Sequence, residues 1–95
     1  MDFLVQIDVT ALHHLPVDQR EEVIRLEQQR GRELHEQGIL RQIWRLPGKR
    51  ANIGVWSADS PEDLHEAIAT LPVWPYATAE ITTLARHPIT FDNWQ

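Results

Sequence analysis

Residues 39–57, ILRQIWRLPGKRANIGVWS, are the key to the architecture. Residues 39–46 are rich in β-formers, Pro47-Gly48 is a turn signal, and residues 50–57 alternate in character, which predicts two strands joined as a hairpin. Upstream, residues 17–38 read as one amphipathic helix, with Asp18, Glu21 and Glu22 near its positive end and Gly38 as its left-handed stop. Before it, Phe3, Val5, Ile7 and Val9 alternate with Leu4, Gln6, Asp8 and Thr10, as in a strand with one buried face. His13, His14 and Pro16 then form a loop.

Downstream, Ser60 is a good N-cap with Pro61 at the first helical position, and a second helix is expected to run to about Leu71. Leu64, Ala67, Ile68 and Leu71 are its apolar stripe. Pro72-Val73-Trp74-Pro75 is a stiff apolar loop, residues 77–84 a last strand, and Arg86-His87-Pro88 leads into a tail over residues 89–95. The order β-α-β-β-α-β is the split βαβ arrangement, an α+β, ferredoxin-like domain with two helices over one face of a four-stranded antiparallel sheet. A single domain over residues 1–95 is expected. Leu4 and its neighbours give the other sheet face partial apolar character, so sheet-to-sheet pairing into a homo-oligomer is expected.

A chain of 95 residues with 42% hydrophobic and 24% charged residues has the composition of an ordinary globular protein. The net charge of -5, with cations scattered, argues against nucleic acid as a partner. The absence of Cys excludes disulfides, thiolate metal sites and cysteine nucleophiles. No early apolar run resembles a signal peptide or a membrane span, so a cytoplasmic protein without membrane partners is expected. The five histidines show no chelating spacing, Gly48 belongs to a turn rather than a phosphate loop, and Ser57 and Ser60 lack a nucleophile-elbow context; no metal site is expected.

Glu27 is the anomaly in the first helix. Val23, Leu26 and Leu34 mark its apolar stripe, and at ~100° per residue Glu27 falls about 40° from Val23 and roughly 20° from Leu34. A carboxylate inside a buried face stays neutral or finds a partner. One reading is an ion pair with Arg30, or with Arg41 or Arg45; the other is a general base with a raised pKa. In the third strand, Arg50, Asn52, Gly54 and Trp56 alternate against Ala51, Ile53 and Val55. If the first set looks toward the helix, Arg50 and Asn52 converge on Glu27; if it looks outward, they are solvated or lie in a subunit interface.

Four segments carry a family resemblance. Residues 44–52, WRLPGKRAN, resemble the W-R-x-x-G-x-x-A-N segment of muconolactone Δ-isomerases, and residues 71–76, LPVWPY, resemble their L-P-L-F-P-Y loop. Arg86-His87-Pro88 resembles their R-H-P ending, and Leu64-His65 a Leu-His pair of their second helix. The resemblance implies pairing of ferredoxin-like domains into dimeric α/β barrels, assembled into decamers. It implies no metal or organic cofactor, and a reaction that moves a proton across the allylic system of a butenolide lactone in aromatic degradation, converting muconolactone to the β-ketoadipate enol-lactone. The family's catalytic carboxylate falls on Glu27 and its strand asparagine on Asn52. Where the family has Tyr two residues before that asparagine, this chain has Arg50, which cannot act as an acid at ordinary pH.

On that resemblance Glu27 takes the proton and returns it two carbons away, and Asn52 donates to the lactone oxygen. Arg50 holds a substrate carboxylate or stabilises the dienolate. Trp44, Trp74 and Tyr76 are expected as apolar walls, and His65 as a further substrate-binding residue. Two other readings stand beside this one. One is a barrel enzyme of the same fold repurposed as a cyclase, dehydratase or cofactor-free oxygenase; the other is a non-catalytic small-molecule binder with Glu27 merely salt-bridged.

Overall fold

The computed structural model describes residues 1–89, so the expected tail, apart from Ile89, lies outside the described residues. Four strands, β1 (Asp2–Asp8), β2 (Leu40–Arg45), β3 (Ala51–Ser57) and β4 (Thr78–Leu84), form one antiparallel sheet in the order β2-β3-β1-β4. Two helices, α1 (Val17–Glu36) and α2 (Pro61–Ala69), connect them in the βαββαβ order. Short 3-10 turns occupy Thr10–His14, where a loop was expected, and Trp74–Tyr76. No described helix is long and apolar enough to cross a membrane.

Local chemistry sets the element ends. At the end of α1, Gly38 has φ 77°, its N–H donates to the His35 carbonyl (3.0 Å), and the Ile39 N–H donates to the Leu34 carbonyl (2.9 Å). This is the Schellman closure that a left-handed glycine permits. Pro47 and Gly48 (φ 81°) take the central positions of the hairpin turn, closed by the Lys49 N–H on the Leu46 carbonyl at 3.2 Å. Ser60 Oγ accepts from the Asp63 N–H at 3.1 Å and starts α2, with Pro61 at its first position. The helix ends at Ala69, short of the expected Leu71. Leu71 instead turns inward and is buried.

The register decides which way β3 looks. Phe3, Val5 and Ile7 of β1 are buried, and they stand opposite Trp56, Gly54 and Asn52 respectively. Side chains directly opposite across a ladder share a face, so positions 52, 54 and 56 face the helices. Phe3, Val5, Ile7 and Trp56 join Leu34 of α1 and Leu64 and Ile68 of α2 in a single core. The other face carries Leu4, Gln6, Ile53 and Val55, half-buried, and Trp44, 42% exposed.

Leu26 does not belong to the buried stripe of α1: it is 38% exposed. The side of α1 that meets the sheet carries Val23, Ile24, Glu27, Gly31 and Leu34, and its midline runs through Glu27. Leu26, one residue earlier, is turned ~100° away from that line.

Candidate active site

Glu27 sits at the centre of the packed side of α1, where the helix faces both the sheet and the loop after α2. That loop is held from below by Leu71 and Val73, both buried, and is closed by the Trp74 N–H on the Leu71 carbonyl at 2.9 Å. The anchoring presents the Val73 N–H to Glu27, whose Oε1 accepts it at 3.1 Å. Burial pushes the Glu27 carboxyl above its ordinary value, and the Val73 N–H offsets part of that rise by favouring the charged form.

The ion-pair partners considered for Glu27 are engaged elsewhere or stand apart. Arg30 donates to Thr70 Oγ1 and pairs with Glu33, both at 3.0 Å. Arg41 lies 3.9 Å from Asp2. Among the described residues Glu27 forms no ion pair.

Between α1 and the sheet lies a cavity of about 570 Å³ that has Glu27 in one wall and Asn52 in the other. The volume falls within the ~300–1,000 Å³ of small-molecule sites. Ile7, Leu40, Trp56 and Leu71 make its apolar lining, and Arg32 and His35 of α1 also line it. Two polar atoms in this lining are buried without a partner: Asn52 Oδ1 and Trp56 Nε1. The His35 Nδ1 lies 2.9 Å from the Leu40 carbonyl. A carbonyl only accepts, so Nδ1 carries the proton in this contact. Among the described residues no group of acidic and histidine side chains could hold a metal ion.

Of the residues singled out from the sequence, the fold brings Glu27 and Asn52 together and places the others outside the lining of this cavity. Arg50 precedes β3 and is exposed; its carbonyl accepts from the Val9 N–H at 2.8 Å. Its charge faces His13, whose pKa is lowered by desolvation first and then by Arg50, Arg20 and His14. Trp44 stands on the face of the sheet away from the helices. His65 of α2 and Trp74 meet edge to face, with ring centroids 5.6 Å apart, and Tyr76 ends the same 3-10 turn as Trp74. The residues that sequence reasoning did not assign to the site are Trp56, Arg32, His35 and the Val73 N–H. Trp56 shares the alternation of Asn52, and His35 lies about 80° round the helix from Glu27, so periodicity carried some signal for these two; Arg32, about 140° round from Glu27, carried none. The Val73 amide, 46 residues from Glu27, carried none.

Comparison with known proteins agrees with this architecture. The family profile described as Muconolactone delta-isomerase matches residues 1–90. A Muconolactone Delta-isomerase of Acinetobacter baylyi is 38% identical over 88 residues, 93% of this chain and 92% of that protein. One of Rhodococcus opacus is 35% identical over 85 residues, 90% of this chain and 91% of that protein. A crystal structure of muconolactone isomerase superposes with a TM-score of 0.83 at 32% identity, covering 98% of this chain and 97% of that one. A NIPSNAP domain protein from Burkholderia xenovorans, at 18% identity and a TM-score of 0.55, shares the fold alone. With the profile and these relatives spanning nearly the whole chain, and with the overall fold of the solved isomerase, the chain belongs to the muconolactone Δ-isomerase family.

Proposed function

We propose that this chain is a cofactor-independent isomerase that moves an allylic proton in muconolactone or a closely similar unsaturated lactone. The observation that carries this reading is the placement of Glu27 and Asn52 in opposite walls of one cavity, with the carboxyl held above its ordinary pKa by burial. A base in that setting is poised nearer to working pH than an exposed carboxylate. Glu27 removes a proton from the carbon at one end of the allylic unit, and the electron pair spreads through the double bond onto the lactone carbonyl oxygen. Asn52 donates to that oxygen. The carbonyl re-forms as Glu27 returns the proton to the carbon two positions away, so the base is regenerated and the net change is transposition of the C=C bond.

The carboxylate of such a substrate needs a cation at the cavity. Arg32 and Arg41 both line it; Arg41 lies 3.9 Å from Asp2, Arg32 makes no ion pair among the described residues, and Arg50 does not line it. Arg32 is therefore the cation we assign to the substrate carboxylate, and the apolar walls we assign to Leu40, Trp56 and Leu71.

Pairing of two chains through the uncovered sheet face belongs to the same proposal. Leu4, Ile53, Val55 and Trp44 share that face. Trp44→Arg is expected to weaken self-association in sedimentation equilibrium; unchanged association would remove this face from the interface.

The test of the chemistry is turnover of muconolactone in deuterated water. The unmodified chain is expected to isomerise it and wash label into the allylic carbons, and Glu27→Gln, which keeps shape and the Val73 contact, to do neither. Full turnover by Glu27→Gln sinks the assignment of the base.

A further inference from the structure

Positions 52, 54 and 56 follow one another along the helix-facing side of β3. The middle one is glycine, and its missing side chain is occupied space: a Cβ there would stand 3.3 Å from Trp56 Nε1 and 2.8 Å from the Gln42 carbonyl oxygen. The indole of Trp56 thus leans along the strand over Gly54, toward Asn52, with its N–H end beside the glycine. Trp56 is 1% exposed and lines the cavity, and its Nε1 is buried with no acceptor. A buried N–H without an acceptor costs free energy comparable to a lost hydrogen bond, so native proteins supply one from protein, water or ligand.

We propose that the Trp56 indole N–H, seated by Gly54, is a second substrate-binding donor that acts with Asn52 on the carbonyl oxygen of the lactone. This rests on the isomerase reading given above. The Asn52 Oδ1 is likewise buried without a partner, and the amide nitrogen is the donor that Asn52 offers. Asn52 and Trp56 are roughly 13 Å apart at the backbone, and because the indole N–H lies beside Gly54, about halfway between them, the two neutral donors are able to converge on one atom. The pairing has a chemical logic. A ring carbonyl is neutral in the bound substrate and gains charge only as the proton leaves, so neutral donors in an apolar wall favour the charged transition state without holding a permanent anion. Arg32 matches the permanent anion, the carboxylate, and stands on the other wall. The substrate class that fits has an acceptor oxygen on the ring itself.

The experiment has two arms. In Glu27→Gln labelled with 15N at the indole nitrogens, muconolactone is titrated while the Trp56 N–H resonance, assigned through its proximity to Gly54, is followed. A downfield shift and slower hydrogen exchange are expected with the lactone, and not with the cyclic ether acid that lacks the ring carbonyl. In the otherwise unmodified chain, Trp56→Phe is expected to lower kcat about tenfold or more with a smaller change in KM. If the chain turns over muconolactone but the indole resonance stays still, the N–H serves a buried water or packing and this inference is overturned, whatever Trp56→Phe does to the rate. Should the resonance shift while the unmodified chain fails to isomerise muconolactone, the donor stands and the isomerase reading falls. Absence of both turnover and shift removes both.

Discussion

The Val73 amide donates to the Glu27 carboxylate across 46 residues of sequence, at 3.1 Å. This bond sets the character of the site, because among the described residues it is the one interaction that favours the charged carboxylate against the burial that opposes it. The balance is a base that is harder to ionise than an exposed glutamate, yet anchored in direction. In the proposed reaction, Glu27 must be ionised to act as the base. The rate kcat/KM is therefore expected to rise with pH along a limb whose midpoint lies above the ordinary glutamate value of 4.5. A pH–rate profile on muconolactone checks this, and a midpoint at or below the ordinary value would contradict the burial argument. Glu27→Gln is expected to lose about 10²–10⁴-fold in kcat.

The same shift is a stability statement. A carboxyl whose folded pKa lies above its unfolded value holds its proton more tightly when folded, so its favourable contribution is complete below the unfolded pKa. That contribution is lost as pH rises through the folded pKa. The side-chain amide introduced by Glu27→Gln does not titrate. As pH rises from the ordinary carboxylate range to the raised value, Glu27→Gln should thus gain stability relative to the unmodified chain, and the gap should level off above it. Urea unfolding of both proteins across pH reads the difference directly; a Glu27→Gln chain that loses stability relative to the unmodified one as pH rises would have the wrong sign.

Two glycines of the first helical segment are expected to respond oppositely to alanine, although an added Cβ meets nothing within 4 Å at either one. Gly31 lies inside α1, and Gly31→Ala should stabilise by about 0.5–1 kcal/mol through helix propensity. Gly38 has φ 77°, and Gly38→Ala should destabilise by about 1–2 kcal/mol because an L side chain is strained there. Thermal unfolding of the pair tests whether backbone conformation, rather than space, decides the sign.

Gly54→Ala is expected to be the costlier change in β3. Its Cβ would approach the Gln42 carbonyl oxygen to 2.8 Å, and that neighbour is backbone held in the β2–β3 ladder. Overpacking of this kind costs about 1–3 kcal/mol, and it should also displace the Trp56 indole. Unfolding midpoints together with the Trp56 indole resonance follow both effects.

Arg32→Gln is expected to raise KM for muconolactone several-fold with kcat little changed, the signature of an interaction equally present in ground and transition states. Arg50→Gln should change KM less, because Arg50 sits beside His13 and Arg20 rather than in the cavity wall. Steady-state kinetics at low and high salt distinguish the two, and the reverse ranking would return the carboxylate to Arg50.

Sequence alone determined what short-range physics controls. The Pro47-Gly48 turn, the Ser60 cap with Pro61 and the Gly38 stop all act within a few residues, so they were legible as local signals and ordered the six elements. Helical periodicity was enough to place Glu27 on the packed side of α1, though it also put Leu26 there, since the direction of the partner surface is not encoded in the period. Tertiary structure decided the rest. Alternation made Arg50, Asn52, Gly54 and Trp56 one set without saying where that set looked; pairing of Ile7 with Asn52 and Phe3 with Trp56 turned it toward the helices. Arg50 dropped out because the strand begins after it. The Val73 amide on Glu27 and the indole over Gly54 depend on contacts between elements distant in sequence or on packing against a particular neighbour. No local propensity reports such contacts, because they exist only once the core has brought the walls of the cavity together.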